Sequence, residues 1–172
     1  MANYTKVNPV GLDIVIDKIQ KKLYNELSAL WNVSLDGYPR CYEIKRDKKT
    51  TVEYYIKKNE YVSLIHSDTN KFFFTCKKDI VQNSFTTYNA ELEVYFILNV
   101  QDCKPSIEHR ADEEVRMDVI NVLSSIGYVE VTKKITTDIT SVFSGYNFEF
   151  QTDMHPNHCF KVTFEVNNFK LK

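Results

Sequence analysis

The sequence predicts an α+β fold, with a mixed or mainly antiparallel β-sheet packed against an N-terminal helix and a second, central helix. Two observations carry that expectation. Apolar residues recur at three- and four-residue steps in two separate stretches, and elsewhere the period drops to two. A third sets the number of domains: 172 residues and 20.2 kDa, 43% hydrophobic and 26% charged, match one domain spanning 1–172. A chain of this length buries roughly 70% of its unfolded surface, so neither disulfides nor a structural metal is needed to hold its core.

The first element opens at Val7-Asn8-Pro9, with Asn8 as N-cap, Pro9 in the first helical position and Val7 stapled onto Leu12. Leu12, Val15, Ile16, Ile19, Leu23, Leu27, Leu30 and Trp31 then trace one face of a helix over about 9–31. Asp13, Asp17, Lys18, Lys21, Lys22 and Glu26 fill the other face, which reads as solvated, with an Asp17 to Lys21 pair.

Asp36-Gly37 and Tyr38-Pro39 punctuate the chain, and strands follow over 40–100. Segments 40–45, 51–57, 61–66 and 71–76 are separated by polar turn residues. In 91–100, Leu92, Val94, Phe96, Leu98 and Val100 alternate with Glu91, Glu93, Tyr95, Ile97 and Asn99, which predicts the longest strand, central in the sheet, with a solvent-facing glutamate start.

Ala111, Val115, Val119, Ile120, Val122, Leu123 and Ile126 trace a second helix over about 110–126, with Gly127 as its stop. Burial of five or more apolar side chains, at roughly 1.5 to 3 kcal/mol each, outweighs the poor helix propensity of Val-Ile-Asn-Val. A C-terminal hairpin, 146–166, pairs alternating 146–152 with 159–166 around a turn at 152–158. The β-branched stretch 129–143 fits one strand, two strands or an ordered loop.

Composition excludes several functions. With 22 basic and 23 acidic residues, the near balance argues against a protein that finds nucleic acid or anionic lipid by bulk charge. No apolar run approaches the roughly 18 residues of a membrane span, and the N-terminus lacks a signal-peptide pattern. Four cysteines without a C-x-x-C pair read as free thiols. Four glycines supply no phosphate-cradling loop, and there is no G-x-S-x-G turn or recognisable cysteine nucleophile. The expectation is no enzyme and no cofactor.

Two stretches carry catalytic or metal-binding patterns, and each has a plainer reading. Asp153-Met154-His155-Pro156-Asn157-His158-Cys159 concentrates metal-capable side chains in one turn, although a polar hairpin tip accounts for it better. Asp36 with Glu43-Ile44-Lys45 has the outline of a metal-dependent nuclease, yet an acid and a lysine two apart share a face on any exposed strand. The expectation is therefore no metal site. Lysine pairs at 48–49, 57–58, 77–78 and 133–134 read as solubilising, edge-protecting charge. Phe72-Phe73-Phe74 and Tyr54-Tyr55 place aromatic rings on both faces of strands, so either the chain covers both faces or these five residues anchor an interface.

The order of elements resembles that of the tail-terminator and neck-completion proteins of tailed bacteriophages. The features that carry the resemblance are the amphipathic N-terminal helix, the extended Tyr38-Pro39 segment, the strand 91–100, the helix opening at His109-Arg110-Ala111-Asp112 and closing at Ile126-Gly127, and the terminal hairpin. The resemblance implies a non-enzymatic virion subunit, assembled in the host bacterial cytoplasm. It would close with identical subunits into a ring at the head-tail joint, touching portal, neck or tail-tube proteins, with DNA passing through the lumen without sequence-specific contact. It implies no membrane partner. The extra strands over 50–76 exceed the smallest members. The alternatives are a small cytoplasmic α+β binding or phage accessory protein and, third, the nuclease.

Overall fold

The computed structural model describes residues 2–46, 49–57, 60–65, 70–146 and 154–170. The fold is α+β, with four helices among the described residues. The strands are β1 (Ala2–Asn3), β2 (Leu35–Arg40), β3 (Tyr42–Arg46), β4 (Lys49–Lys57), β5 (Glu60–Ser63), β6 (Asn70–Thr75), β7 (Val81–Gln82), β8 (Tyr88–Asn99), β9 (Val129–Thr136) and β10 (Asn157–Phe169). The helices are α1 (Leu12–Trp31), α2 (Val100–Cys103), α3 (Asp112–Ser124) and α4 (Ile139–Val142). No helix among the described residues is long and apolar enough to cross a membrane.

A seven-stranded sheet runs β1-β2-β6-β8-β10-β9, with β7 paired to β8. The β1–β2 and β2–β6 pairs are parallel and the rest antiparallel. A separate three-stranded sheet runs β3-β4-β5. As the alternation predicts, β8 is central, between β6 and β10. Its expected last residue, Val100, instead opens α2, because the Asn99 side chain accepts from the amides of Gln101 (3.0 Å) and Asp102 (3.2 Å) and turns the chain. The longest strand is β10, at 13 residues against 12 for β8.

Period two divides the core into halves. Phe72, Phe74, Leu92, Val94, Phe96, Leu98, Phe160, Val162 and Phe164 turn to one face and pack with the buried stripes of α1 and α3. Phe73, Tyr95, Ile97 and Cys159 turn to the other, where Val52, Leu64 and Ile65 around the small sheet and Val142, Phe143 and Tyr146 around α4 cover them. The main sheet is thus the middle layer of three. Trp31 ties the two helices by donating to Asp118 Oδ2 at 2.6 Å.

Several expectations are corrected. The first helix begins at Leu12 rather than near 9: its N-cap is Gly11, at φ 57°, without a side-chain cap, and Val7 is 80% exposed, so the staple is absent. The chain from β1 uses this stretch as a crossover, with Asn8 at φ 51°. Asp13 is buried, not solvated, held by Lys6 and by Arg40 Nε at 3.0 Å, while Leu30 faces out. The supposed punctuation at 36–39 lies within β2, with Pro39 where the β2–β6 register shifts. The second helix ends at Ser124 with Ser125 as its cap, before Gly127. The stretch 129–143 becomes β9 followed by α4, whose start Asp138 caps by accepting from Ser141 N at 2.9 Å. Of the C-terminal hairpin, β10 pairs with β8 and β9, while residues 147–152 of the expected partner strand 146–152 lie outside the described residues.

Candidate functional site

The sheet face opposite α1 and α3 is apolar toward one end and polar toward the other, and the register dictates the change. Lys161 stands opposite Tyr95 on β8 and Thr136 on β9; one row along, Thr163 stands opposite Glu93 and Lys134. Thr75 on β6 is also paired with Glu93. Alternation therefore brings charged and hydroxyl side chains from four strands to one surface.

Glu93 is the centre of that surface. Lys161 Nζ donates to Glu93 Oε1 at 2.8 Å and Tyr95 Oη to Oε2 at 2.7 Å. Lys77 Nζ lies 3.7 Å from Glu93 and 3.2 Å from Glu43, which also accepts from Tyr146 Oη. Both lysines rest on aromatic faces, Lys77 4.7 Å from the Tyr146 centroid and Lys161 5.3 Å from that of Tyr95. Burial alone would raise the Glu93 carboxyl, but the hydrogen bonds from Lys161 and Tyr95 and the two ammonium charges outweigh it and hold the group below its ordinary range. Burial, reinforced by neighbouring negative charge, drives the Tyr95 and Tyr146 phenols well above theirs, so they stay protonated donors. The expected solvent-facing glutamate start of β8 is therefore corrected: the Glu91 and Glu93 side chains are about 15% and 14% exposed and both are paired.

Beside this network lies a cavity of about 390 Å³, lined by Lys78, Glu91, Glu93, Lys134, Thr136, Ser141, Lys161 and Thr163. Lys78 Nζ pairs with Glu91 at 2.8 Å, whereas Lys134 makes no ion pair among the described residues. Sequence reasoning missed this site, because a charge at every second position of a strand reads as a solvent face. The only signal in the sequence was that Glu93 and Lys161 interrupt the two most apolar strands.

The five expected interface aromatics separate. Phe72, Phe73 and Phe74 are completely buried, since the chain supplies a layer over each face of the sheet, and buried rings offer a partner no surface. Tyr54 turns inward to pack 5.4 Å from Tyr38, and Tyr55 on the opposite face of β4 is exposed. Other exposed apolar residues include Tyr42 and Val62 on the small sheet and Phe85, 95% exposed in the turn between β7 and β8.

The residues weighed for metal chemistry are dispersed. Asp36 accepts from Ala2 N in the main sheet, while Glu43 and Lys45 lie on β3 in the other sheet. His158 and Cys159 are neighbours on β10 and so point to opposite faces. His158 sits 3.7 Å from Asp112 with Arg116 donating toward its Nε2 at 3.3 Å, and Cys159 is in the other core. Asp153 lies outside the described residues. No cluster of three metal-capable side chains occurs among the described residues. All four cysteines are free, and burial raises the thiol of Cys103 to about 12. No protein-family model matches the chain, and no curated protein matches it.

Proposed function

We propose that the chain is a structural ring subunit of a tailed-phage virion at the head-tail joint, a tail terminator or neck completion protein. It binds copies of itself and at least one unlike protein of the portal, neck or tail tube. The element order supports this reading, and the distribution of exposed apolar residues carries it. Tyr42 and Tyr55 lie on the small sheet and Phe85 on a turn beyond the main sheet, not around one cleft. Exposed aromatic rings on the small sheet and on the β7–β8 turn would serve a subunit with several neighbours as interface anchors.

The two edges of the main sheet differ, as head-to-tail contact between copies requires. One edge is β1, two residues paired in parallel; the other is β9, eight residues paired antiparallel, with no strand on its outer side among the described residues. Contacts through unlike edges would be head-to-tail, and such contacts give a ring where the rotation between neighbours closes.

Mass photometry of the purified chain, alone and with the portal or tail-tube protein of the same phage, tests the proposal. Rings of defined stoichiometry are expected, and Tyr55→Ser should reduce them without lowering the melting temperature. A chain that stays monomeric with every virion protein and is absent from purified virions overturns it, in favour of a monomeric cytoplasmic binding module.

A further inference from the structure

We propose that the cavity on the sheet face opposite α1 and α3 is a binding site for a phosphate group. Thr136 is 6% exposed and lines the cavity, and its Oγ1 has no hydrogen-bond partner among the described residues. An orphaned buried hydroxyl is costly and points to a missing partner.

The sign of that partner follows from which valences are already spent. Glu93 gives Oε1 to Lys161 and Oε2 to Tyr95, and both oxygens of Glu91 face Lys78, at 2.8 and 2.9 Å. Both carboxylates are thus already neutralised by an ammonium group, which weakens their pull on a cation. Donors remain. Lys134 has no ion pair among the described residues, and an ammonium carries three protons, of which Lys161 directs one at Glu93. The lining carries three lysines against two glutamates, so an oxyanion enters a site of net positive charge. Lys134 and Thr136 point to the same side of β9, and Lys161 and Thr163 face them from β10, so the donors converge from paired strands. Free phosphate and the phosphates of a nucleic-acid backbone share this chemistry.

Phosphate binding in the cavity does not depend on ring formation. Rings without phosphate binding would remove the site alone, and binding without rings would remove the ring alone. The test titrates the full chain at constant ionic strength with inorganic phosphate and, separately, with a DNA duplex, followed by backbone amide shifts. Saturable shifts at residues 134, 136 and 163 are expected. Thr136→Val and Lys134→Ala should each weaken binding about tenfold, as for the loss of one charged hydrogen bond. Thr136→Ser keeps the hydroxyl and should bind as wild type, and Lys18→Ala on α1 should change nothing. Shifts with phosphate identify a free anion as one source, and shifts at the same residues with the duplex identify the nucleic-acid backbone as the other. No saturation with either, full affinity in Thr136→Val, or equal losses in Lys18→Ala and Lys134→Ala would each overturn the proposal.

Discussion

Gly37 packs so closely under the ring of Phe72 that a β-carbon added to it would stand 2.8 Å from Phe72 Cζ and 3.1 Å from Cε1. Phe72 is completely buried against Phe96, centroids 5.6 Å apart, and has no room to withdraw. Gly37→Ala should therefore destabilise the fold by about 1–3 kcal/mol, the usual range for overpacking. Urea denaturation checks this; an unchanged midpoint would mean that β2 can shift away from β6.

Phe73 stacks on Tyr95 with centroids 5.0 Å apart and planes 5° from parallel, under the small sheet and α4. Replacing it with Ala should cost about 3–5 kcal/mol. If this ring anchored another protein instead, Phe73→Ala would leave the isolated chain as stable as wild type and impair only assembly.

Glu93 makes stability depend on pH. Its native carboxyl titrates below the ordinary value of 4.5, so its contribution is complete above that value and is lost as pH falls through the native one. Glu93→Gln should flatten this acid limb and lower neutral-pH stability by about 1–3 kcal/mol, since Lys161 loses a charged partner. Melting temperatures between pH 3 and pH 7 read both effects, and an acid limb of wild-type steepness in the variant would assign it to other carboxylates.

Chelation should leave the melting temperature unchanged. The metal-capable stretch 153–159 runs into β10, where His158 and Cys159 are buried on opposite faces of the strand. A drop of several degrees with a strong chelator would show that ligands are recruited from elsewhere.

What could be read from the sequence was what repeats. Alternation along 91–100 specified β8, its central place and the face of nearly every side chain, because one strand buried on both sides must obey period two. The three- and four-residue steps of α1 did the same for its buried stripe from Leu12 to Trp31, with Asp13 and Leu30 as exceptions. Single residues misled where tertiary contacts overrode local preference. Asn8 and Pro9 fit a helix start, but Gly11 at φ 57° lets the chain turn later. Gly37 and Pro39 looked like a turn, although the glycine answers to the ring above it and the proline to a register shift. The polar cavity was illegible for a related reason. Glu93, the Lys134 and Thr136 pair on β9, and Lys161 lie far apart in the chain, and only strand order brings them together.

The three layers also set the order in which the backbone opens. The β8–β10 ladder runs from Asn99–Asn157 to Ala90–Val166 before its register shifts, flanked by β6 on one side and β9 on the other. Its amides can meet solvent only when the whole chain unfolds, so their deuterium uptake should be slowest and should report the global free energy. The β3-β4-β5 sheet has two ladders and neighbours on fewer sides, so it can part from the middle layer first. A difference in protection between these sheets would mark the small one as a unit that opens by itself, able to change its contacts while the ladder beneath stays closed.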